Sequence, residues 1–385
     1  MEPTQDHKEH INFIKESIPS WKPLSDPDIS FESQSGISNN VFKVTAKGDV
    51  SPKAVIFREF GDTSAVIDKD KESHIFELLS ESGIGPHLYG KNEAFRIEEC
   101  FDGEPIKREQ INEPFWRRKL AFALAKYHSL NAPDLKKNNA ILERLKDSEF
   151  WKNFEEKCSN SEWTEPDQIK KLDEIKKLAC AEEKEFVKSI IPKRNLVFSH
   201  NDPLNGNILV ATDTKVVFID YEYSGYNNRG FDIAGLFTEM TISYDEPSSP
   251  YFKTETKLFP TEEDVKDFLR YYLYASKYYD GLFEELEEDV MKVEDDKWLF
   301  KKISDEIGQE EFDKEMGVLL DEFEKCCLLT HYYWAPWAVI MSQPKSEPGN
   351  FDYLTFAYVR YRCYLRLKNI YLQKKSIFEA FKKIK

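Results

Sequence analysis

The 385-residue sequence predicts an α+β fold of two lobes: a small β-rich N-lobe over residues 1–101 and a large, mainly helical C-lobe over 102–385. Three observations predict it. The first hundred residues carry short runs rich in Val, Ile and Phe around one helical segment. Beyond about residue 105 the apolar residues recur at helical spacing. A second β-rich island at 195–220 interrupts the helices and holds the densest group of chemistry-bearing side chains.

The elements follow in order. Ile29 to Gln34 is a strand, then a polar loop runs from Ser35 to Asn40. Val41 to Thr45 and Ala54 to Phe60 are strands by composition. Lys69 to Ser80 places Ile75, Leu78 and Leu79 on one helix face, and Gly83 and Gly85-Pro86 stop it. His87 to Tyr89 and Phe95 to Glu99 are two further strands. Phe115 to Leu130 is amphipathic, with Leu120, Leu124, Tyr127 and His128 on one face. Residues 140–190 are Lys/Glu-rich with periodic apolar positions, as in helices with solvated outer faces. Leu196 to Phe198, Asn207 to Val210 and Lys215 to Ile219 are strands. The chain is helical again from Gly230, with a break at Asp245 to Pro250. Residues 261–342 and 351–384 are mostly helix, separated by a Pro/Gly/Ser loop.

Composition narrows the function. With 54 basic and 70 acidic side chains the net charge is −16, which repels phosphate backbones and argues against a nucleic-acid partner. Hydrophobic residues at 41% and aromatics at 14% can build a large core, which excludes disorder. No run reaches the ~20 apolar residues of a membrane helix, so stable membrane insertion is not expected. The polar start MEPTQDHKEH lacks the apolar core of a secretion signal. The six cysteines form no CxxC pair, which removes a zinc or redox motif, and adjacent Cys326 and Cys327 read as buried helix thiols in a reducing cytoplasm.

The informative segment is Ser199-His200-Asn201-Asp202-Pro203-Leu204-Asn205-Gly206-Asn207. It lies between two strands, with Asp202 and Asn207 five residues apart, and the strand KVVFI then ends in Asp220. A loop acid, a loop amide and a second acid after a short hairpin are the parts that phosphoryl transfer needs: one Asp to take the proton of the acceptor hydroxyl, an Asn and an Asp to hold Mg2+ on the nucleotide phosphates. Each piece alone has a plainer reading. HND suits a turn and Asp220 a helix cap. His200 reads as a structural, hydrogen-bonded histidine.

The loop matches HxDxxxxN of the protein-kinase-like small-molecule kinases. The next segment, IDYEYSGYNNRGFDI over 219–233, is similar to the signature of the choline/ethanolamine kinases. The resemblance runs from about residue 30 to 372 and is weakest at 135–190 and 280–325. It implies a two-lobed protein-kinase-like fold, with ATP and Mg2+ as cofactors and a small amino alcohol as acceptor. Asp202, Asn207 and Asp220 become the catalytic residues, Asp202 as base and Asn207 and Asp220 as magnesium ligands. Glu222 serves the metal or the substrate pocket. Asp232 either braces the catalytic loop or has a capping or salt-bridge role with Arg229.

On the nucleotide side the sequence has neither GxxxxGK[ST] nor GxGxxG, so a Walker-type loop is excluded. Gly36, Ser38 and Asn39, in the first hairpin, are the candidate phosphate-covering loop. By the resemblance Arg58 is the cation that meets the phosphates, with Glu72 as its partner, and Ile97 to Phe101, with Glu98 and Cys100, occupy the hinge whose backbone groups bind adenine.

A small cation needs aromatic faces, carboxylates or both. Trp334 and Trp337 are three apart and share a helix face, an arrangement that a packed core also produces. The resemblance makes them the WxxW of a cation pocket, with Glu239, Tyr244 and Phe356 as further substrate-binding residues. Pro336, between the tryptophans, departs from the family pattern and threatens a kink. Ala234-Gly235-Leu236 stands where the family usually has Gly-Asn-His. Leu204, where many choline kinases carry Gln, leans the acceptor toward ethanolamine over choline. The expected enzyme is thus a cytoplasmic, ATP-dependent kinase of ethanolamine or choline in phospholipid synthesis, a homodimer as the family often is. The alternatives are a same-fold kinase of another acceptor, of aminoglycoside or homoserine type, and a catalytically dead choline-binding scaffold.

Overall fold

A computed structural model describes residues 7–34, 39–60, 69–194, 196–211, 215–277, 308–344 and 350–382. In chain order these form α1 (His7–Ser17), β1 (Ile29–Gln34), β2 (Asn39–Ala46), β3 (Ala54–Phe60), α2 (Lys69–Glu81), β4 (Leu88–Lys91), β5 (Phe95–Glu99) and β6 (Gly103–Pro105). There follow α3 (Pro114–His128), α4 (Ala140–Lys146), α5 (Ser148–Cys158), α6 (Pro166–Ile175), α7 (Ala181–Ile190), β7 (Leu196–Ser199), β8 (Ile208–Ala211), β9 (Val216–Phe218) and β10 (Gly225–Asn228). Then come α8 (Arg229–Glu239), α9 (Glu262–Lys277), α10 (Gln309–Met341), α11 (Tyr353–Leu372) and α12 (Phe378–Lys382). Part of the helical stretch expected at 261–342, residues 278–307, lies outside the described residues.

The chain divides into two compact units, Met1–Pro105 with Asn207–Ser224, and Ile106–Gly206 with Gly225–Lys385. This differs from a division at 101/102 in two respects: the first unit runs on to Pro105, and the hairpin 207–224 groups with it. Strand pairing is the reason. β8 pairs antiparallel with β6 on one side and with β9 on the other.

In the first unit, five strands form an antiparallel sheet in the order β1-β2-β3-β5-β4. Val55 and Phe57 of β3 and Phe95 and Ile97 of β5 alternate onto one face, as a period of two requires. There they pack against Ile11, Ile14, Ile18 and Trp21, each removed from water and each contributing ~2 kcal/mol. The helix α1 is absent from the sequence expectation. Its charged residues mask an apolar stripe at Ile11, Ile14 and Ile18, whose spacings of three and four are helical. β2 starts at Asn39 rather than Val41: Asn39 and Asn40 pair with Phe60 and Glu59, and the Asn40 side-chain amide donates to Glu59 at 3.1 Å. Ladder pairing outweighs the poor strand propensity of Asn.

The second unit is helical around α8 and α10. Every residue of α8 is buried. Gly230 lets it approach α10, since a Cβ there would stand 3.0 Å from the backbone carbon of Glu322. α10 is buried throughout Cys326 to Pro336, the pattern of a core helix. It runs through Pro336 to Met341 without ending. The proline forfeits the hydrogen bond that the Tyr332 carbonyl would accept, about 3 kcal/mol in a helix interior, and the burial of Tyr332, Trp334 and Ala335 before it and of Ala338 and Val339 after it offsets the loss. All six cysteines are free thiols. Among the described residues no helix is long and apolar enough to cross a membrane.

Candidate active site

The loop that carries Asp202 leaves β7, which is fixed by antiparallel pairing of Ser199 with Gly225 of β10. Asn201 then takes a φ of 67°, a left-handed conformation that Asn tolerates better than most residues. Asp232, in the first turn of α8 and fully buried, holds this turn: its carboxylate accepts the backbone N–H of His200 at 2.6 Å and of Asn201 at 2.8 Å, and lies 3.0 Å from His128 Nε2. Hydrogen bonds to a charged group contribute about 1.5–3 kcal/mol each. Of the two roles open to Asp232, bracing is therefore the one observed, while Arg229 pairs instead with Glu322 at 2.9 Å and Glu315 at 3.4 Å. His200 is buried, and its Nδ1 accepts the Asp202 N–H at 3.3 Å. Asp202 itself is half-buried. Gly235 of α8 gives the loop room, because a Cβ there would lie 3.2 Å from the ring of Pro203.

In the first unit, β3 and β5 bring Arg58 directly opposite Arg96. Like charges across a ladder repel unless anions separate them. Two do. Glu98 accepts from Arg58 Nε at 3.1 Å and from Arg96 Nε at 2.7 Å, and Glu72 of α2 accepts from Arg96 Nη2 at 2.9 Å. The expected pairing of Arg58 with Glu72 is thus corrected: Glu98 is the direct partner, and Glu72 reaches Arg58 through Arg96. The correction has a geometric cause, since Glu98 and Arg96 are two apart on one strand and share a face. Burial disfavours the charge on Arg58, but Glu98, Glu72 and Asp220 outweigh it and hold the guanidinium above its ordinary pKa. Burial likewise opposes ionisation of Glu98, and the two arginines overcome it.

Asn207 and Asp220 flank the β8–β9 hairpin of the same unit. The Asn207 carbonyl accepts the N–H of Ile219 at 2.9 Å, so the amide residue stands across from the neighbour of Asp220. Asp220 turns outward with a φ of 68° and is exposed. No helix follows it directly, which removes the helix-cap reading. Glu222 lies close by, its carboxyl pushed up to about 7 by burial and then by the charge of Asp220. Tyr221, between them, is buried and donates to the Phe218 carbonyl at 2.5 Å. Cys100 follows β5, half-buried, with its thiol pushed up mainly by burial. Asn39 opens β2, and Gly36 and Ser38 lie outside the described residues.

The residues expected around the acceptor meet within the second unit. Trp334 and Trp337 stand edge to face at 5.2 Å, and Tyr353 and then Phe351 continue the ring contacts at 5.9 and 4.9 Å. Phe351 reaches Phe356 at 5.3 Å, and Phe356 reaches Tyr244 at 6.0 Å. The Tyr244 hydroxyl donates to Glu239 Oε2 at 2.6 Å. Burial, the charge of Glu239 and, more weakly, that of Asp202 push this phenol well above its ordinary pKa. Glu239 is buried and ion-paired with Arg360 of α11.

Sequence reasoning passed over Arg96 and Arg360. The alternation in Phe95-Arg96-Ile97-Glu98 was a signal for the first, since a strand with both faces buried must satisfy the charges on its second face. For Arg360 the signal was its place one helical turn after Phe356.

This geometry has counterparts in known proteins. The family model described as choline/ethanolamine kinase matches residues 32–365. The choline/ethanolamine kinase of Rattus norvegicus is 26% identical over 345 residues, spanning 86% of this chain and 78% of the rat protein. A probable ethanolamine kinase of Arabidopsis thaliana is 28% identical over 370 residues, 93% of this chain and 84% of that one. Among solved structures, a choline kinase from Cryptosporidium parvum superposes with a TM-score of 0.70 at 23% identity, covering 96% of this chain and 97% of its own. That likeness establishes the two-lobed, protein-kinase-like fold. With the family model spanning most of its length, the chain belongs to the choline/ethanolamine kinase family, and so to the phosphotransferases.

Proposed function

We propose that this chain transfers the γ-phosphoryl group of ATP to the hydroxyl of a small amino alcohol, ethanolamine or choline, with ethanolamine the better acceptor. One observation carries the reading. Asp202 sits on a loop whose two preceding N–H groups are held by Asp232, and its charge acts on Tyr244 in the aromatic cluster. An acid so placed takes the proton of the acceptor hydroxyl as its oxygen attacks phosphorus. The braced loop limits where the carboxylate can point, an orientation effect. The aromatic faces of Trp334 and Trp337 suit the acceptor's cation. Arg58, kept charged by its three carboxylate neighbours, offers the phosphates a planar fork of donors.

Asn207 and Asp220 suit Mg2+ as hard oxygen ligands brought together by one hairpin. The crowding of Glu222 against Asp220 supports this, because a divalent cation relieves like charge. These two residues would hold the metal, which would supply positive charge against that of the phosphates. Leu204, two residues past Asp202, and the ethanolamine-kinase name of the plant relative support the ethanolamine preference. Six free thiols support a reducing, cytoplasmic setting, and a homodimer is the assembly that the resemblance implies.

The test is an ADP-release assay with MgATP, titrating ethanolamine and choline in parallel. Saturable turnover is expected with both, and a higher kcat/KM for ethanolamine. Silence with both acceptors from folded protein that binds ATP would overturn the acceptor assignment. Silence without ATP binding would overturn the kinase reading itself.

A further inference from the structure

Arg360 is 1% exposed and lies on the face of α11 that carries Phe356, with its guanidinium carbon 4.8 Å from that ring's centroid. Its Nη2 meets Oε1 of Glu239. Its Nη1 lies 3.4 Å from Nδ1 of His331, a buried histidine on α10. Arginine has donors only, so this contact puts the lone pair of His331 on Nδ1 and its proton on Nε2. Burial and the neighbouring guanidinium hold His331 well below its ordinary pKa, consistent with a neutral ring. With Oε1 of Glu239 engaged by Arg360, Oε2 accepts the hydrogen bond of the Tyr244 hydroxyl.

The geometry points to Arg360 as a positioning residue that sets acceptor specificity: by fixing Glu239, it commits the one proton of Tyr244 inward and leaves the phenol oxygen to present lone pairs alone. An oxygen of that kind accepts N–H groups. It therefore recognises an ammonium that carries at least one N–H, and is of no use to a quaternary one. The two charges, Arg360 and Glu239, cancel each other, so what the cluster offers is a hydrogen-bond acceptor rather than a free anion. This rests on the reading of Tyr244 as part of the acceptor pocket. It goes beyond that reading in naming the arginine that orients the phenol and the feature of the ligand that the phenol reads.

The discriminating probe is the series ethanolamine, N-methylethanolamine, N,N-dimethylethanolamine and choline, whose cations carry three, two, one and no N–H. In Tyr244→Phe, kcat/KM for the first three is expected to fall about tenfold, the worth of one hydrogen bond to a charged group. Choline is expected to change less than about twofold. Arg360→Lys keeps the charge but loses the fork. It is expected to reproduce the same step between the third and fourth acceptors, through KM more than kcat, and to add nothing in the Tyr244→Phe background. An equal loss for all four acceptors in Tyr244→Phe overturns the proposal whether or not the Arg360 variant folds. So does a smooth trend with acceptor size, or full additivity of the two substitutions. Wild-type protein that turns over none of the four overturns the underlying acceptor reading as well, and is thereby distinguished.

Discussion

Each unit of the molecule builds an arginine–carboxylate cluster, and the two deliver opposite things. In the first unit Arg96 is locked inside, with 1% of its side chain exposed, while Arg58 keeps 19%. Two arginines share two principal carboxylates, and the half left at the surface is positive. In the second unit Arg360 and Glu239 are both nearly sealed, at 2% and 4%, and they cancel. What remains outside that pair is a polarised phenol. Buried ion pairs are weak evidence for stability, because desolvation consumes most of the Coulomb gain. The comparison teaches what else such pairs do: they decide which charge, or which lone pair, is left facing a ligand.

The sharpest way to break the comparison is to remove the two acids that it sets apart. Asp220→Ala, in the first unit, and Asp202→Ala, in the second, are each expected to cut kcat by about 10³-fold or more. Magnesium titration of turnover would separate them, because only Asp220→Ala should raise the metal concentration needed for half-maximal rate. Next comes the outward charge. Arg58→Ala should lower kcat/KM for ATP by about 10²-fold, the loss seen for a preorganised donor, with the acceptor KM unmoved. Arg58→Lys should restore only part of it, since a point charge replaces a fork. Equal losses on both substrates would erase the distinction between the clusters.

Asp232→Asn tests the brace. It weakens three hydrogen-bonding contacts, to His200, Asn201 and His128, and should lower unfolding free energy by about 2 kcal/mol in a denaturant titration. Turnover should fall with it, although Asp232 touches no reacting atom. The smallest effect belongs to the aromatic cluster. Trp334→Ala should raise KM for choline about tenfold and for ethanolamine less, with KM for ATP unchanged, as expected of a cation–π contact.

Much of this was legible in the chain, for stated reasons. β1, β3 and β5 were readable to the residue, because β-branched and aromatic runs end at polar or turn-forming positions. Asp202, Asn207 and Asp220 stood out in the chain because a loop acid, a loop amide and a second acid at these spacings suit phosphoryl transfer, and their roles are part of the proposal. Two kinds of feature were not legible. Asn39 and Asn40 became strand only because a neighbouring strand satisfied their backbone groups, a tertiary effect that local propensity does not carry. The partner of Arg58 depended on the Arg58–Arg96 register across β3 and β5, which no single strand discloses. Arg360 and Glu239, 121 residues apart, meet only in the folded chain.

The most direct test of the whole scheme pairs equilibrium binding with single-turnover transfer in Asp202→Ala. MgATP and ethanolamine should each bind within about threefold of wild type, because the groups that hold them lie elsewhere, while transfer slows by about 10³-fold or more. Transfer at near wild-type rate from the same protein would contradict the assignment of Asp202 as the residue that takes the acceptor's proton.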